Sequence, residues 1–239
     1  KEVLAYLDLQ YGITGQGVRI EVMDAGCDTT HPDMPNFLVH NGNTPDAHGT
    51  CTSGIVVGNG SGMGTARGAA PDAFLVVADY NFAYSGGSRY AHTGQLVNPA
   101  LPYKCVVQSN SWGGGLTTAY NSLSQNMDLI LFDHDRISIC QSQSNSGDQD
   151  SRPEAWAKNV ISVGGIYHHN TALKNDDEWS GGASIGPAAD GRIKPDLASF
   201  YDDILCTDMV GGAGYSGSNY NSGFGGTSGA TPIVAGHLA

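Results

Sequence analysis

The apolar residues of this chain fall into short runs, separated by segments rich in glycine, serine and asparagine. Most of these runs lack strict alternation of apolar and polar residues, which is typical of strands that are covered on both faces of a sheet. Five runs are predicted to be buried strands: Val18–Met23, Phe74–Ala78, Val106–Ser109, Ile137–Cys140 and Val160–Val163. The pattern therefore predicts a sheet in the interior of the protein.

Helical patterns lie between these runs. The segment 118–132 places four large apolar residues at helical spacing: Leu123, Met127, Ile130 and Leu131. Shorter helices are predicted at Glu2–Leu9, His48–Val57 and Ala155–Lys158, and Gly211–Gly226 is predicted to be a loop. Because strands and helices alternate, we predict an α/β fold of three layers, in which a mostly parallel, twisted sheet carries helices on both faces.

Composition narrows the class of protein. A chain of 239 residues that is 40% hydrophobic can bury one sizeable core, and no boundary signal divides residues 1–239, so one domain is predicted. No run approaches the roughly 18 consecutive apolar residues of a membrane span. The net charge is −12 with only 11 lysines and arginines. An acidic surface repels phosphate backbones, so we do not expect nucleic acid as a partner.

The five cysteines are widely spaced. An odd number means that at least one is free or is paired outside this chain. The absence of a C-x-x-C spacing argues against a structural zinc site. Cys140 lies in an apolar run and is predicted to be a core residue. One or two disulfides remain open, and the sequence does not give their connectivity.

Ser228 is the first candidate for chemistry. It lies in Gly225–Pro232, directly before an apolar stretch, so a helix that begins near it would direct its first amides at the surroundings of the hydroxyl. The glycines before Ser228 allow a substrate to approach the backbone closely. Pro232 is tolerated if it lies in the first helical turn. Taken alone, Ser228 is equally compatible with an ordinary helix cap.

Asp24 and His48 are the second and third candidates. Asp24 ends a predicted strand, where open α/β sheets place their sites, although an Asp that opens a turn before Gly26 is the simpler interpretation. His48 begins a predicted helix. A serine nucleophile needs a base that takes its proton and a carboxylate that orients the base. The order Asp, His, Ser supplies all three.

Three segments together resemble the signature blocks of the subtilisin-like serine proteases (subtilases, peptidase family S8). They are Asp24–Asp33, His48–Thr50 and Gly226–Pro232, in the family's order. Further similar segments extend nearly from end to end: Gly12–Gly17, Ala70–Pro71, Ser109–Gly113, Ser144–Gly147 and Ile193–Leu197. The resemblance implies a secreted serine endopeptidase with Asp24, His48 and Ser228 as the catalytic triad.

The same resemblance implies roles for other residues. Asn145 would donate to the oxyanion together with the backbone N–H of Ser228. The substrate pocket would be lined by Ser111, Trp112, Gly113, Ser142 and Ser144. Two residues depart from the family pattern: Ser144 stands where the family usually has glycine, and Gly229 replaces the commoner methionine.

The chemistry implied is peptide-bond hydrolysis through an acyl-enzyme, with polypeptides as substrates. A pro-segment that inhibits the enzyme intramolecularly is a further implied partner. Two alternatives stay open on the same fold: a peptide ligase or macrocyclase, and a catalytically inactive binding homologue. Family members normally continue past the position of Ala239, so we expect residues 1–239 to be a catalytic domain that lacks its usual C-terminal part.

No cofactor is needed for this chemistry, but structural calcium is common in the family. Asp33 matches a calcium-ligating position. The facing loop Gly58–Gly64 carries no carboxylate. Because calcium takes six to eight oxygen ligands, this loop would have to supply carbonyl groups. Calcium at Asp33 is therefore an open expectation.

Overall fold

The computed structural model describes residues 8–34, 36–83, 88–179 and 181–239. Within them, seven parallel strands form one sheet in the order β2-β3-β1-β4-β5-β6-β7, and an antiparallel pair, β8-β9, forms a second. The strands are β1 Arg19–Asp24, β2 Phe37–Val39, β3 Phe74–Asp79, β4 Val107–Asn110, β5 Ser138–Ser142, β6 Ile161–Ile166, β7 Leu197–Phe200, β8 Ile204–Thr207 and β9 Tyr220–Phe224.

Helices cover both faces of the parallel sheet. They are α1 Ala47–Val57, α2 Tyr80–Ala83, α3 Arg89–Val97, α4 Ser122–Asp133 and α5 Thr227–Leu238, with 3-10 turns at Gly64–Ala66 and Pro153–Trp156. On one face, α1 and α5 pack Val56 and Val234 into the cluster that holds Ile20. On the other face, α3 and α4 pack Leu96 and Met127 against Val76. The predicted three-layer α/β fold is confirmed.

The strands, loop and helices predicted from the sequence agree only in part with the observed ones. The five predicted strands correspond to β1, β3, β4, β5 and β6, whereas β2, β7, β8 and β9 were not foreseen. The predicted loop Gly211–Gly226 is wrong in part, because Tyr220–Phe224 pairs with β8. The helix predicted to begin at Thr118 begins instead at Ser122, since the Asn121 side chain caps it. The predicted helix Glu2–Leu9 lies mostly outside the described residues.

The strand order reverses beside β1. In the sheet, β3 and then β2 lie on one side of β1, and β4 lies on its other side. β1 and β4 therefore flank a topological switch point. Asp24 ends β1, and Ser111 directly follows β4, so both lie at the carboxyl edge of the sheet. Open α/β sheets bind their ligands at this edge, outside a switch point.

The cysteines are buried and free. All five are described, and none takes part in a disulfide, so neither of the bridges left open by the sequence is formed here. Cys140 is fully buried, as predicted for a core residue. Among the described residues, no helix is both long and apolar enough to cross a membrane.

Candidate active site

Asp24 and His48 form a bonded pair. Asp24 is the last residue of β1, and His48 is the second residue of α1. Asp24 Oδ1 lies 2.7 Å from His48 Nδ1. The second oxygen of Asp24 accepts from Thr52 Oγ1 at 3.2 Å, and Ala25 N donates to Oδ1 at 2.7 Å. The carboxylate is almost wholly buried, while 28% of the imidazole is exposed. The pair therefore has a fixed inner end and an accessible outer end.

Local sequence places His48 against Asp24. Asp46 caps α1, because its Oδ1 accepts from the backbone N–H of His48 at 2.8 Å and of Gly49 at 3.3 Å. A Cβ at Gly49 would overlap the carbonyl oxygen of Gly26, so only glycine lets α1 approach the end of β1 this closely. The cap and the close approach together fix where the imidazole lies.

The electrostatic surroundings favour the charged form of His48. Burial alone would lower the pKa of His48, but the charge and hydrogen bond of Asp24, with a further contribution from Asp46, outweigh it and raise the pKa above its ordinary value. The free imidazole must be neutral to accept a proton. The site is therefore expected to lose its base as the pH falls through this raised pKa.

Ser228 lies at the second position of α5, after Gly226, which has φ 74°. Its Oγ donates to the carbonyl oxygen of Ser111 at 3.4 Å, which is a long bond. Among the described residues, no hydrogen bond joins Ser228 to His48, and Nε2 of His48 has no partner. Phe224, which precedes Gly226 by two residues, contacts the His48 ring with centroids 5.5 Å apart. The structure brings Asp24 and His48 together, but the hydrogen bond between Ser228 and His48 that would complete the triad is not formed among the described residues.

Pro232 has a different role from the one expected. It is the sixth residue of α5 and lies in the second turn, so the expectation of a first-turn proline is wrong. Its missing N–H leaves the carbonyl of Ser228 without a helical donor. The hydroxyl of Ser111 donates to that carbonyl at 3.0 Å. Ser111 thus anchors the first turn of α5 to the strand end beside β1.

Asn145 is oriented by the residue that precedes Ser228. Its Oδ1 accepts from the backbone N–H of Thr227 at 2.8 Å and from Thr227 Oγ1 at 3.0 Å. A flipped amide would oppose one N–H with another, so these bonds assign the oxygen and leave the Nδ2 hydrogens free among the described residues. Thr227 was not singled out in the sequence, although its position beside Ser228 offered the signal.

The backbone conformation of Ser144 explains why the family prefers glycine at this position. Its φ is 111°, in a region that favours glycine and strains a residue with a Cβ. The strained residue directly precedes Asn145 and helps to direct it toward α5. Ser144 is itself buried.

The remaining pocket residues lie on two neighbouring strand ends. Ser111, Trp112 and Gly113 follow β4, and Ser142 ends β5, which pairs with β4 in parallel. The ring of Trp112 lies 5.0 Å from that of Tyr80. All five pocket candidates thus lie at the carboxyl edge, with their part in substrate binding still a prediction.

Two residues that were not predicted from the sequence form hydrogen bonds to the backbone of the glycines that follow Trp112. The guanidinium of Arg152 donates to the carbonyls of Gly113 at 3.2 Å and Gly114 at 3.0 Å. The buried carboxylate of Glu154 accepts from Gly114 N with both oxygens, at 3.1 and 3.0 Å. Arg152 and Glu154 lie ten and twelve residues beyond the end of β5, and no sequence pattern pointed to them.

Asp33 does not fit a calcium ion. It is fully buried. Its Oδ1 accepts from Gly62 N at 2.6 Å and Ser61 Oγ at 3.1 Å, and its Oδ2 accepts from the hydroxyl of Tyr220 at 3.1 Å. Calcium needs oxygen ligands around the carboxylate, whereas this loop presents N–H and O–H donors. The carboxylate instead fastens the Gly58–Gly64 loop to β9.

Comparisons with known proteins agree with this geometry. A family model described as "Subtilase family" (Peptidase_S8) matches residues 15–239. The chain belongs to the subtilase family. The predicted resemblance is therefore confirmed over nearly the whole chain.

Curated relatives are named serine proteases. The "Serine protease AprX" of Bacillus subtilis is 28% identical over 261 residues, covering 95% of this chain and 57% of the relative. The "Major intracellular serine protease" of the same organism is 29% identical over 178 residues, covering 65% of this chain and 53% of the relative. This chain spans about half the length of these curated relatives.

Solved structures share the fold. The prenylagaramide maturation protease PagA superposes with a TM-score of 0.70 at 19% identity, covering 98% of this chain and 77% of that one. The Aeromonas sobria serine protease, solved in complex with its chaperone, gives 0.72 at 19% identity over 95% of this chain and 47% of that one. At this identity the likeness supports the fold only.

Proposed function

We propose that this chain is the catalytic domain of a serine endopeptidase with Asp24, His48 and Ser228 as its triad. The observation that carries the proposal is the 2.7 Å bond between Asp24 and Nδ1 of His48. This bond orients the imidazole and holds the proton on Nδ1, which leaves Nε2 as the base. The exposed side of the ring faces the edge from which a substrate would arrive.

The first chemical step requires the hydroxyl of Ser228, which bonds to the carbonyl of Ser111, to turn toward His48. Rotation about its Cα–Cβ bond would exchange the long bond to Ser111 for one to Nε2 of His48. Such bonds are often loose without substrate and tighten in the complex. Ser228 Oγ then attacks the scissile carbonyl carbon while His48 takes the hydroxyl proton. Buried Asp24 stabilises the imidazolium that results.

The developing oxyanion needs donors that are already in place. Nδ2 of Asn145 has no partner within the described part of the chain and is oriented by Thr227, and the N–H of Ser228 lies in the first helical turn, where amides have no helical partner. Both donate without rearrangement, which lowers the barrier. The imidazolium next protonates the leaving amine, and water then releases the acyl group by the same steps in reverse.

Substrates, partners and location are finer parts of the proposal. We propose polypeptide substrates, bound against Ser111–Gly113 and Ser142–Ser144, and a pro-segment as an intramolecular inhibitor. No metal takes part in the steps above. Secretion stays a prediction, since two curated relatives are named intracellular serine proteases.

The test is cleavage of a diverse peptide library by the unmodified chain and by Ser228→Ala. We expect internal cleavage with new free carboxyl termini from the unmodified chain and none from the variant. Mass spectrometry of the products also separates the alternatives: new amide bonds would indicate a ligase or macrocyclase. Absence of any product from the folded chain would indicate a binding homologue.

A further inference from the structure

Five side chains form a closed hydrogen-bonded ring on the face of the sheet opposite Asp24. Glu21 comes from the middle of β1, His40 and Asn41 follow β2, and His92 and Gln95 come from α3. Glu21 and His40 are fully buried and His92 is 1% exposed, whereas the two amides reach the surface. None of these residues takes part in the mechanism above.

Each member of the ring contacts the next, and His92 Nε2 also lies 3.0 Å from Glu21 Oε1. The distances are Glu21 Oε1 to His40 Nδ1 2.6 Å, His40 Nε2 to Gln95 Oε1 3.0 Å, Gln95 Oε1 to Asn41 Nδ2 3.3 Å, Asn41 Nδ2 to His92 Nδ1 3.2 Å, and His92 Nε2 to Glu21 Oε2 2.9 Å. Gln108 Nε2 also donates to Glu21 at 2.6 Å.

Counting hydrogens fixes the charge of this ring. An amide oxygen only accepts and an amide nitrogen only donates, so the touching atoms of Asn41 and Gln95 must be one of each. With Gln95 Oε1 and Asn41 Nδ2 in contact, His40 faces acceptors at both nitrogens, while His92 faces a donor at Nδ1. His40 must then carry two protons and His92 only one. Flipping both amides would exchange the two histidines but keep the count.

The carboxylate supplies the matching negative charge. Burial alone would raise the pKa of Glu21, but the hydrogen bonds of both histidines and the positive charge beside the carboxylate outweigh burial and lower the pKa. The two imidazoles stack with centroids 3.9 Å apart, and the ring of Tyr103 lies tilted against the other face of His40 at 4.1 Å. One cationic ring between two neutral rings is favourable, whereas two stacked cations would repel each other.

A metal ion fits this ring less well than a proton. Glu21, His40 and His92 place one ligand atom each within 4.8 Å of one another. Binding would require both histidines to lose the protons that face Glu21 and to carry them on their outer nitrogens. The outer nitrogen of His92 meets a donor, Asn41 Nδ2, so one contact would be lost.

We propose that this ring is a binding site for a single proton, held as a Glu21 carboxylate and a His40 imidazolium beside a neutral His92, which fastens α3 to β1. The proposal is independent of the proposed function. The exposed amides give the proton a route to solvent. A second proton would leave two stacked cations with one carboxylate, and loss of the first would leave Glu21 without its counter-charge.

Few other titratable groups face the ring. The ring of Tyr103 contacts His40, and the buried thiol of Cys105 lies near Glu21, where burial first and the carboxylate second raise the pKa of the thiol. Arg19, at the start of β1, partly opposes that shift. Phenols and thiols ordinarily ionise above pH 8, so the imidazoles are the groups that the test follows.

The test is imidazole nitrogen NMR of the full chain carrying Ser228→Ala, which prevents self-digestion, at pH 7.5. We expect both nitrogens of His40 to be protonated and only Nε2 of His92. His31 is the internal control: its Nε2 faces Asn219 O at 2.9 Å and its Nδ1 accepts from Asp33 N at 3.1 Å, so it is neutral by the same reasoning.

Two neutral rings, two cationic rings, or a bound metal at the three residues would overturn the proposal. A charge on His92 in place of His40 would overturn the assignment of the charged ring. Glu21→Gln in the same background should make both rings neutral, and a persistent imidazolium would count against the pairing. If that variant does not fold, the count in the ring with Glu21 intact decides the matter alone.

Discussion

Strand β1 carries two histidine–carboxylate clusters, one on each face. Asp24 holds one nitrogen of His48 and leaves the other without a partner among the described residues, with the imidazole partly exposed. Glu21, by contrast, sits in a closed ring in which both nitrogens of His40 are bonded and nothing but the two amides reaches the surface.

The contrast distinguishes a site that can react with a substrate from a cluster that stabilises the fold. An unsatisfied nitrogen at the carboxyl edge of the sheet is available to a substrate, and its pKa is raised by a fixed neighbour. In the ring around Glu21 both nitrogens of each histidine are bonded, so we expect its charges to stabilise the structure and not to react. The predictions below break one cluster at a time.

The largest expected effect follows from His48→Ala. Loss of the base should lower kcat by about 10⁶, the magnitude measured in subtilisin, which is a member of this family. The melting temperature should fall only modestly, because Asp24 keeps its hydrogen bonds from Thr52 and Ala25. Steady-state kinetics on protein whose folding is checked by circular dichroism tests both expectations. Activity within tenfold of the unmodified chain would contradict the role of His48.

Glu21→Gln should have the opposite profile. Removing one partner of a buried ion pair costs about 3–5 kcal/mol of stability. Urea unfolding should show this loss, while kcat per folded molecule stays unchanged. Gln95→Ala, at the exposed end of the ring and within α3, is the matched control and should cost less than about 1 kcal/mol. Equal losses in the two variants would argue against a buried charge pair.

Asn145→Leu tests the proposed active site, the more exposed of the two clusters. The free Nδ2 should matter only in the transition state, so kcat should fall by about 10²–10³ with KM little changed, as in the subtilisin example. Asn145→Asp should be at least as damaging, because it replaces a donor with a charge of the wrong sign. A folded, titrated Leu variant that keeps kcat within about threefold would assign the oxyanion to another donor.

Ser144→Gly should relax strain next to Asn145. A non-glycine residue at positive φ costs about 1–3 kcal/mol, partly offset by the greater unfolded-state freedom of glycine, so a gain of about 1 kcal/mol is expected. Ser142→Gly is the matched control, since Ser142 lies in β5 and glycine weakens strands. Thermal unfolding of both variants should show opposite signs. A loss in Ser144→Gly would mean that its side chain is needed.

The smallest change is a shift of the pH profile in Asp46→Asn. Asparagine caps helices as well as aspartate does, so α1 should keep its start. Removing the charge should lower the pKa of His48, and activity should persist to lower pH. The pH dependence of kcat/KM measures this shift. An unchanged acid limb, with kcat/KM limited by chemistry, would contradict the contribution of Asp46.

Much of the sheet could be predicted because central strands are continuous apolar runs. Strand β9 was not predicted because Tyr220–Phe224 is short and polar and contains glycine. Its strand conformation depends on pairing with β8. Helix α3 escaped because it buries His92 and Thr93 as well as Leu96. Tertiary contacts, which no local pattern encodes, decide both elements.

The candidate site was predicted more completely than its surroundings. Asp24, His48, Ser228 and Asn145 belong to motifs that can be matched in the sequence. Their supports do not: Thr227 and Ser111 act through hydrogen bonds across more than 80 residues. The ring around Glu21 was invisible in the same way, since its histidines carry no motif and are joined only by the fold.

The most direct test of the central claim is labelling with a serine-directed fluorophosphonate, located by mass spectrometry. The unmodified chain should take up one label per molecule on Ser228, at a rate that rises with pH as His48 loses its proton. His48→Ala should react far more slowly, and Ser228→Ala should not react. A folded chain that remains unlabelled, or that is labelled on another serine at a rate independent of His48, would contradict the proposed triad.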